Sequence, residues 1–252
     1  MPPRIVTADQ AGGGFLNWYQ SVPPITRYMA TAMLVTTVAV NLGVIPPMWL
    51  ALMWPNILKK FEVWRLVTHF LVLGKLSLNF VVHMLWVLQY SAPLEQQTYQ
   101  FEPADYVWML IIVGGLCTAV AAPLEYLFNG IPLIMAIIYV WSKNFPESQV
   151  SLYGLVQVQS FYLPFAFAAI SLLLGQSPVP AIIGIVAGHI YYFLKDVYPL
   201  QSGRDLIKTP SFLKQWLADA GLRGAAPPPR QAAGQPQGFT AFRGPGRRLG
   251  GE

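Results

Sequence analysis

The second apolar segment carries polar side chains that could do chemistry inside a membrane. They recur at helical spacing and therefore share one stripe of a helix: Asn79, His83, Trp86 and Tyr90. Polar groups in a membrane helix face the bundle interior or a wet cavity, which makes them functional candidates. Two interpretations stay open, namely a hydrophilic furrow cut partway into the bilayer and hydrogen bonds that hold helices together.

A later apolar run begins with further side chains that are polar for their depth: Gln157, Gln159 and Ser160. On the furrow interpretation, these residues contribute a second wall facing the stripe. The candidate furrow residues are therefore Asn79, His83, Gln157 and Gln159.

The sequence predicts neither a metal site nor a cofactor. His69, His83 and His189 lack Cys or carboxylate partners at metal-ligand spacing. Cys117 is the single cysteine and lies in an apolar run, which favours a small buried packing residue. Nine of the sixteen Lys and Arg residues lie from Lys195 onward, but they are sparse and lack interleaved aromatic residues at the end of the tail. They indicate a positive flank on the cytosolic side and no nucleic-acid partner.

The composition is that of a polytopic membrane protein. The chain is 54% hydrophobic and 11% charged, whereas soluble domains average about 25% charged residues. Residues 1–14 have no apolar core, so we expect no cleavable signal peptide and an uncleaved first span.

Six membrane spans are predicted, each near the length needed to cross a bilayer. They cover residues 28–45, 76–93, 105–123, 127–142, 157–175 and 179–198. An even number puts both termini on one side, and the basic tail puts that side in the cytosol. The predicted fold is an all-α, six-transmembrane bundle over residues 28–200, with a disordered C-terminal tail.

The first loop, about residues 46–75, is too apolar to stay in water. It combines many aromatic and aliphatic side chains with Lys59, Lys60, Arg65 and Lys75. Such a segment is expected to lie in the membrane interface, with aromatic rings at the headgroup level and basic side chains reaching outward. Trp64 can anchor at that level, and Arg65 can donate to phosphates or to loop carbonyls.

Two amphipathic segments flank the bundle, residues 1–27 before it and residues 201–222 after it. In the second, Ser211 follows Thr209 and Pro210 in a typical helix start. Residues 223–252 are rich in Gly, Pro, Ala and Gln, cannot bury a core, and are predicted to be disordered.

The tail ends in an apolar, glycine-rich, basic peptide at residues 242–250. A flexible tether that carries such a peptide is typical of a docking site for a soluble partner. The residues expected to make the contact are Phe242, Gly244, Gly246, Leu249 and Gly250.

The last span contains Gly184 and Gly188, a small-xxx-small pair that allows close approach of helices. Six spans with such a last helix resemble rhomboid proteases, whose chemistry needs a serine nucleophile and a histidine base. Where that family opens span four with a serine, this chain has Gly130, and Ala181 stands at the histidine position. We therefore expect no catalytic residues and no peptidase activity.

A closer resemblance is to the Derlins, the catalytically inactive rhomboid-like family of the endoplasmic reticulum. The resemblance covers about residues 15–217 and rests on segments 23–27, 61–70, 139–142, 153–156, 160–164 and 188–194. Trp64 with Arg65, and Gly184 with Gly188, match the two hallmark features of that family. The peptide at 242–250 resembles the one with which Derlins bind a hexameric AAA ATPase.

The resemblance implies a function in endoplasmic-reticulum-associated degradation and the unfolded protein response. It implies retrotranslocation of misfolded proteins through the membrane for ubiquitin-proteasome degradation. The implied partners are an AAA ATPase of the valosin-containing protein type, a membrane-bound ubiquitin ligase complex, and further copies or relatives of the chain in an oligomer. Two alternatives remain, an active intramembrane serine protease and a small-solute transporter, and the sequence disfavours both.

Overall fold

The computed structural model describes residues 8–152, 156–173, 175–222 and 224, and these residues are predominantly helical. The helices before the centre of the chain are α1 (Ala8–Ser21), α2 (Pro24–Asn41), α3 (Pro47–Leu50), α4 (Trp54–Lys60), α5 (Arg65–Thr68), α6 (Leu78–Trp86) and α7 (Pro103–Ala121). Those that follow are α8 (Gly130–Asn144), α9 (Leu163–Leu173), α10 (Val179–Tyr192), α11 (Tyr198–Ser202) and α12 (Ser211–Asp219).

One helical stretch in the described residues, Pro103–Leu124, is long and apolar enough to cross a membrane by itself, with a mean hydropathy of 2.2. It contains α7 and corresponds to the third predicted span. The other predicted spans coincide with helices that are shorter or change their winding. Thus α6 continues as π-helical turns at Val87–Ser91 and Leu94–Thr98, and α10 continues as one at Phe193–Val197. The predominantly helical fold is confirmed, and the full set of six spans stays a prediction.

The core lies where α10 packs against both α8 and α7. Branched and long apolar side chains fill it, including Met109, Val113, Ile134, Ile138 and Ile183. The predicted packing role of Cys117 agrees with its position, because the thiol is fully buried in this core. The three helices therefore form the frame that positions the shorter elements around them.

The fifth predicted span differs from the structure in its first six residues. Residues 149–152 and 156–159 form an antiparallel hairpin of β1 (Gln149–Leu152) and β2 (Val156–Gln159), and α9 begins only at Leu163. Apolar and polar residues alternate with a period of two in both segments, which favours strands over a helix. The prediction that Gln157 and Gln159 begin a helical span is therefore wrong.

The first loop is a folded unit made of α3, α4 and α5. Its backbone is joined to the link between α7 and α8, since Leu52 N donates to Leu127 O at 2.9 Å and Asn129 N donates to His69 O at 3.1 Å. These bonds hold the loop against the bundle.

Candidate functional site

Arg65 is the buried centre of the first loop. Its Nε donates to a Glu62 carboxylate oxygen at 2.5 Å, and its NH1 group donates to the carbonyls of Met48 and Ala51 at 2.5 and 2.9 Å. Asn56 donates to the same Glu62 oxygen at 3.2 Å. We call Asn56, Glu62 and Arg65, with the two carbonyls, the Arg65 network. Arg65 was expected to donate either to lipid phosphates or to loop carbonyls, and in the structure it donates to loop carbonyls.

The guanidinium holds the pKa of Glu62 below its usual value, first through the hydrogen bond from Arg65 and then through its positive charge. Burial, in contrast, lowers the pKa of His69, whose ring packs under the loop. The loop is therefore held by one ionised pair beside a neutral imidazole.

The outer surface of the loop is apolar. Trp64, next to the buried Arg65, is 53% exposed, and Phe61 is held in a left-handed conformation (φ 55°) with its ring 77% exposed. A bulky residue adopts positive φ rarely, and only where the surrounding structure enforces it. Further exposed side chains extend the same surface: Met48, Trp49, Leu58, Val63, Leu66 and Val67. This surface suits the interface of a bilayer.

The four candidate furrow residues do not line one surface. His83 is buried, and within the described residues its Nδ1 has no hydrogen-bond partner. Asn79 is exposed near the start of α6, one turn before His83, while Gln157 and Gln159 are exposed on β2. The predicted wall of span five is therefore a strand surface and not a helix face.

A mainly apolar cavity with two polar side chains in its lining does lie between α6 and the hairpin, however. It has a volume of about 180 Å³, and its lining includes Trp86, Gln89, Ser151 and Phe167. The rings of Trp86 and Phe167 stack across α6 and α9 with centroids 3.9 Å apart. Sequence analysis missed Gln89, although it is a polar residue in an apolar helix, and missed Ser151 because the hairpin was not predicted.

Gly184 and Gly188 lie where α10 meets α8. A Cβ on Gly184 would come within 2.4 Å of Pro132 O and 2.5 Å of Met135 Cβ. At Gly188 it would come within 2.8 Å of Tyr139 Cβ. The backbones are thus in direct contact, and a larger side chain at either site has to displace α8.

The two positions at which a rhomboid protease has its serine and histidine, Gly130 and Ala181, are tightly packed in this structure. Gly130 starts α8, and a Cβ there would lie 2.8 Å from the carbonyls of Phe70 and Val72, so a serine side chain has no room. Ala181 is buried in the core.

An imidazole does approach a hydroxyl near these positions, with His69 Nε2 3.3 Å from Thr118 Oγ1. That hydroxyl already donates to Gly114 O at 2.9 Å, and His69 is fully buried. The pair joins the loop to α7.

A second buried network joins α2 to the end of α6 and was missed by sequence analysis. The Glu95 carboxylate accepts hydrogen bonds from Ile25 N at 2.9 Å, Thr26 N at 2.7 Å and Thr26 Oγ1 at 2.8 Å. It caps the start of α2, where the first backbone N–H groups lack partners inside the helix. The acidic residue was visible in the sequence, but its distant partner was not.

The helix α12 folds back onto the start of α7. Leu213 and Leu217 pack against Ala104, and Lys214 forms an ion pair with Glu102. Phe212 and Trp216 stay exposed on the neighbouring face. The predicted ATPase-binding residues Phe242, Gly244, Gly246, Leu249 and Gly250 lie outside the described residues.

Comparison with known proteins identifies close relatives over most of the chain. A family model described as the Der1-like family matches residues 22–211. Derlin-1 of Oryza sativa subsp. japonica is 38% identical over 235 residues, which cover 92% of this chain and 97% of that protein. Derlin-1 of Arabidopsis thaliana is 37% identical over 221 residues, or 86% of this chain and 83% of that protein. Derlin-2 of Oryza sativa subsp. japonica is 38% identical over 225 residues, or 84% and 90%.

Proposed function

The chain belongs to the Der1-like family of membrane proteins, the Derlins, and we propose from this premise that it moves misfolded proteins out of the endoplasmic reticulum. Family membership implies a role in endoplasmic-reticulum-associated degradation. Our proposal adds the step, which is retrotranslocation to the cytosol for ubiquitin-proteasome degradation.

The observation that carries the proposal is the short helical stretch at α9 beside a cavity that holds two polar side chains. With the 3₁₀ turn before it, the described stretch Ser160–Leu173 rises about 22 Å, against about 30 Å for the hydrocarbon core. In our proposal the hairpin, Gln89 and Ser151 face the rest of that depth. A polar chain in hydrocarbon leaves its backbone groups unsatisfied at several kcal/mol each. A furrow that reaches partway into the bilayer shortens the path on which that cost applies.

The first loop supports the same proposal from another part of the bundle. Its exposed aromatic surface would wedge into the leaflet opposite the furrow and thin the bilayer there. The Arg65 network fixes the shape that presents this surface. Neither feature supplies directed work, so a motor is needed.

We propose that the peptide at residues 242–250 recruits this motor, an AAA ATPase of the valosin-containing protein type, on the cytosolic side. A membrane-bound ubiquitin ligase complex and further Derlin-like chains complete the proposed assembly. In this arrangement the protein is a six-span component of the endoplasmic reticulum membrane with both termini cytosolic. It acts as a rhomboid-like pseudoprotease, and the packing at Gly130 and Ala181 supports that reading.

The test is site-specific photocrosslinking in microsomes. Leu85 on α6 lines the cavity and is 56% exposed. A photoreactive amino acid at this position should label a misfolded luminal reporter that is stalled by withholding ATP. The matched control is the same group at Leu200 on α11, which is 88% exposed and lies outside the furrow. Labelling at Leu200 that equals labelling at Leu85, or none at Leu85, would contradict the proposal.

A further inference from the structure

The hairpin leaves backbone hydrogen-bonding groups at the outer side of β2. Ser160 N donates to Ser148 O at 2.9 Å, and Gln149 is opposite Gln159 in the register. In an antiparallel ladder, opposite residues alternate between pairs that are hydrogen-bonded to each other and pairs that are not. Because Ser148 and Ser160 are a bonded pair, the next pair, Gln149 and Gln159, exchanges no hydrogen bonds. By alternation the same holds for Ser151 and Gln157. The N–H groups of Gln157 and Gln159 therefore point away from β1.

No third strand pairs with this sheet in the part of the chain that the structure describes. Both strands of this two-stranded sheet are therefore edges. β2 is the more exposed of the two, because every residue of β2 is exposed or half-buried, whereas β1 contains the buried Val150. An edge of this kind is a template for pairing with another extended chain.

The two faces of the hairpin differ in chemistry. Val150 and Val158 pack onto the core. Their neighbours along the strands lie on the opposite face, since successive side chains of a strand alternate: Gln149, Ser151, Gln157 and Gln159. Ser151 also lines the cavity with Gln89 and Trp86. The polar face is therefore continuous with the cavity and bears no charge.

We propose that the outer edge of β2 binds an extended segment of polypeptide by adding it to the hairpin as a third strand. This inference rests on the proposed function and names how its site holds the substrate. Main-chain hydrogen bonds give affinity without requiring a particular sequence, and only pockets for side chains give specificity. An uncharged glutamine and serine face imposes little selection by charge. Such a site suits misfolded chains of many sequences, whose backbone groups otherwise enter the membrane unpaired.

Gln159 allows a precise test, because its φ of −63° matches the fixed φ of proline. Gln159→Pro removes the outward N–H without straining the backbone, and Gln159→Ala removes only the side chain. A photoreactive amino acid at Val156, which is 57% exposed, reports substrate at the edge in full-length protein. Gln159→Pro should reduce labelling of the stalled reporter there by about 3- to 10-fold, the effect expected of one lost backbone hydrogen bond. Gln159→Ala should leave it unchanged.

Labelling at Leu85 distinguishes failure of the edge-binding proposal from failure of the proposed function. Labelling at Leu85 with none at Val156 overturns the edge proposal alone, whereas no labelling at either position overturns the proposed function as well. Equal loss in Gln159→Ala and Gln159→Pro, or no loss in either, also overturns the edge proposal. So does labelling at Val156 by residues 225–252 of the same chain in place of the reporter.

A second measurement covers the case in which Gln159→Pro fails to fold. Wild-type protein in liposomes is exposed to reduced, carboxymethylated lactalbumin, a permanently unfolded chain, and amide hydrogen exchange is followed. The amides of Gln157 and Gln159 should exchange at least about 5-fold more slowly with the unfolded chain present, because pairing protects them from solvent. Unchanged exchange at both amides overturns the proposal.

Discussion

The first loop and the hairpin differ in whether their backbone hydrogen-bonding groups find partners within the described residues. In the loop, Arg65 satisfies the carbonyls of Met48 and Ala51 from within the chain. In the hairpin, the N–H groups of Gln157 and Gln159 point outward, and the described residues contain no third strand to accept their bonds. The loop is therefore bonded within itself and has an apolar outer surface, whereas the hairpin leaves hydrogen-bonding groups unpaired at its edge. The proposed function needs both features, an apolar surface that distorts the bilayer and an edge that holds polypeptide.

The helix α8 connects these two regions. It begins at Gly130 against the loop carbonyls of Phe70 and Val72, and it ends at Asn144, where the chain turns into the hairpin. Ser160 Oγ donates to Phe145 O and closes that end. Variants can therefore be sorted by whether they act on the loop, on the hairpin, or on α8 and hence on both.

The largest effect is expected from Arg65→Ala, which should disrupt the loop alone. A carbonyl left buried without a donor costs about 1–3 kcal/mol, and the carbonyl of the fully buried Ala51 loses its donor here. The carbonyl of Met48, a partly exposed residue, loses its donor as well. We expect a clear drop in the unfolding midpoint in detergent, together with loss of reporter degradation. Amide exchange in β1 and β2 should stay at its wild-type rate. Faster exchange in the hairpin would break the proposed independence of the two regions.

Arg65→Lys serves as the matched control, since it keeps the charge but cannot reproduce the planar, multi-donor geometry of the guanidinium. It should recover only part of the lost stability. Full recovery would mean that charge alone holds the loop.

Gly184→Ala should have the next largest effect and should act on both regions through α8. A Cβ at this position meets Pro132 O at 2.4 Å, and overpacking typically costs about 1–3 kcal/mol. Amide exchange should therefore rise in the first loop and in the hairpin together. Gly115→Ala on α7 is the control, because nothing lies within 4 Å of its added Cβ. A similar destabilisation in Gly115→Ala would show that helix glycine content, and not the contact with α8, is being measured.

These packing contacts also show which features can be predicted from the sequence and which cannot. A small-xxx-small pair such as Gly184 and Gly188 indicates close approach, but it does not say which helix lies opposite. The bond from Thr26 N to Glu95 joins residues 69 positions apart, and no local pattern predicts it. The hairpin was missed for a different reason, since its short Val and Gln alternation precedes an apolar run long enough to favour a helical span. Composition and local periodicity thus predicted the helical membrane protein, while tertiary contacts decided the site.

A smaller effect is the dependence of stability on pH, which should be present in the first loop and absent in the hairpin. Hydrogen bonding to Arg65 lowers the pKa of Glu62 below its ordinary value of 4.5. A carboxylate with a lowered pKa stabilises the fold fully above the unfolded-state pKa and loses that contribution as the pH falls through the folded-state pKa. The strands β1 and β2 contain no titratable side chain.

Protection of the loop amides, corrected for the pH dependence of intrinsic exchange, should therefore fall as the pH drops below 4.5, while protection of the hairpin should not. Glu62→Gln should lose this component and keep only the fall that begins near pH 6.5, which His69 contributes because burial lowers the pKa of its imidazole. A fall below pH 4.5 that is the same in Glu62→Gln would assign this component to another group.

The smallest effect on stability is expected from Trp64→Ala, which should nevertheless impair function. The indole is 53% exposed and next to the buried Arg65, so its removal opens no cavity in the loop. In a bilayer, however, an indole at the headgroup level anchors the segment that carries it. The unfolding midpoint in detergent should stay at the wild-type value, while degradation of the reporter in microsomes slows. Trp64→Phe, which keeps an apolar ring without the N–H donor, should recover part of the rate. If the reporter is degraded at the wild-type rate in Trp64→Ala, the exposed surface of the loop does not act on the membrane. The loop would then differ from the hairpin only in having its backbone groups bonded within the chain.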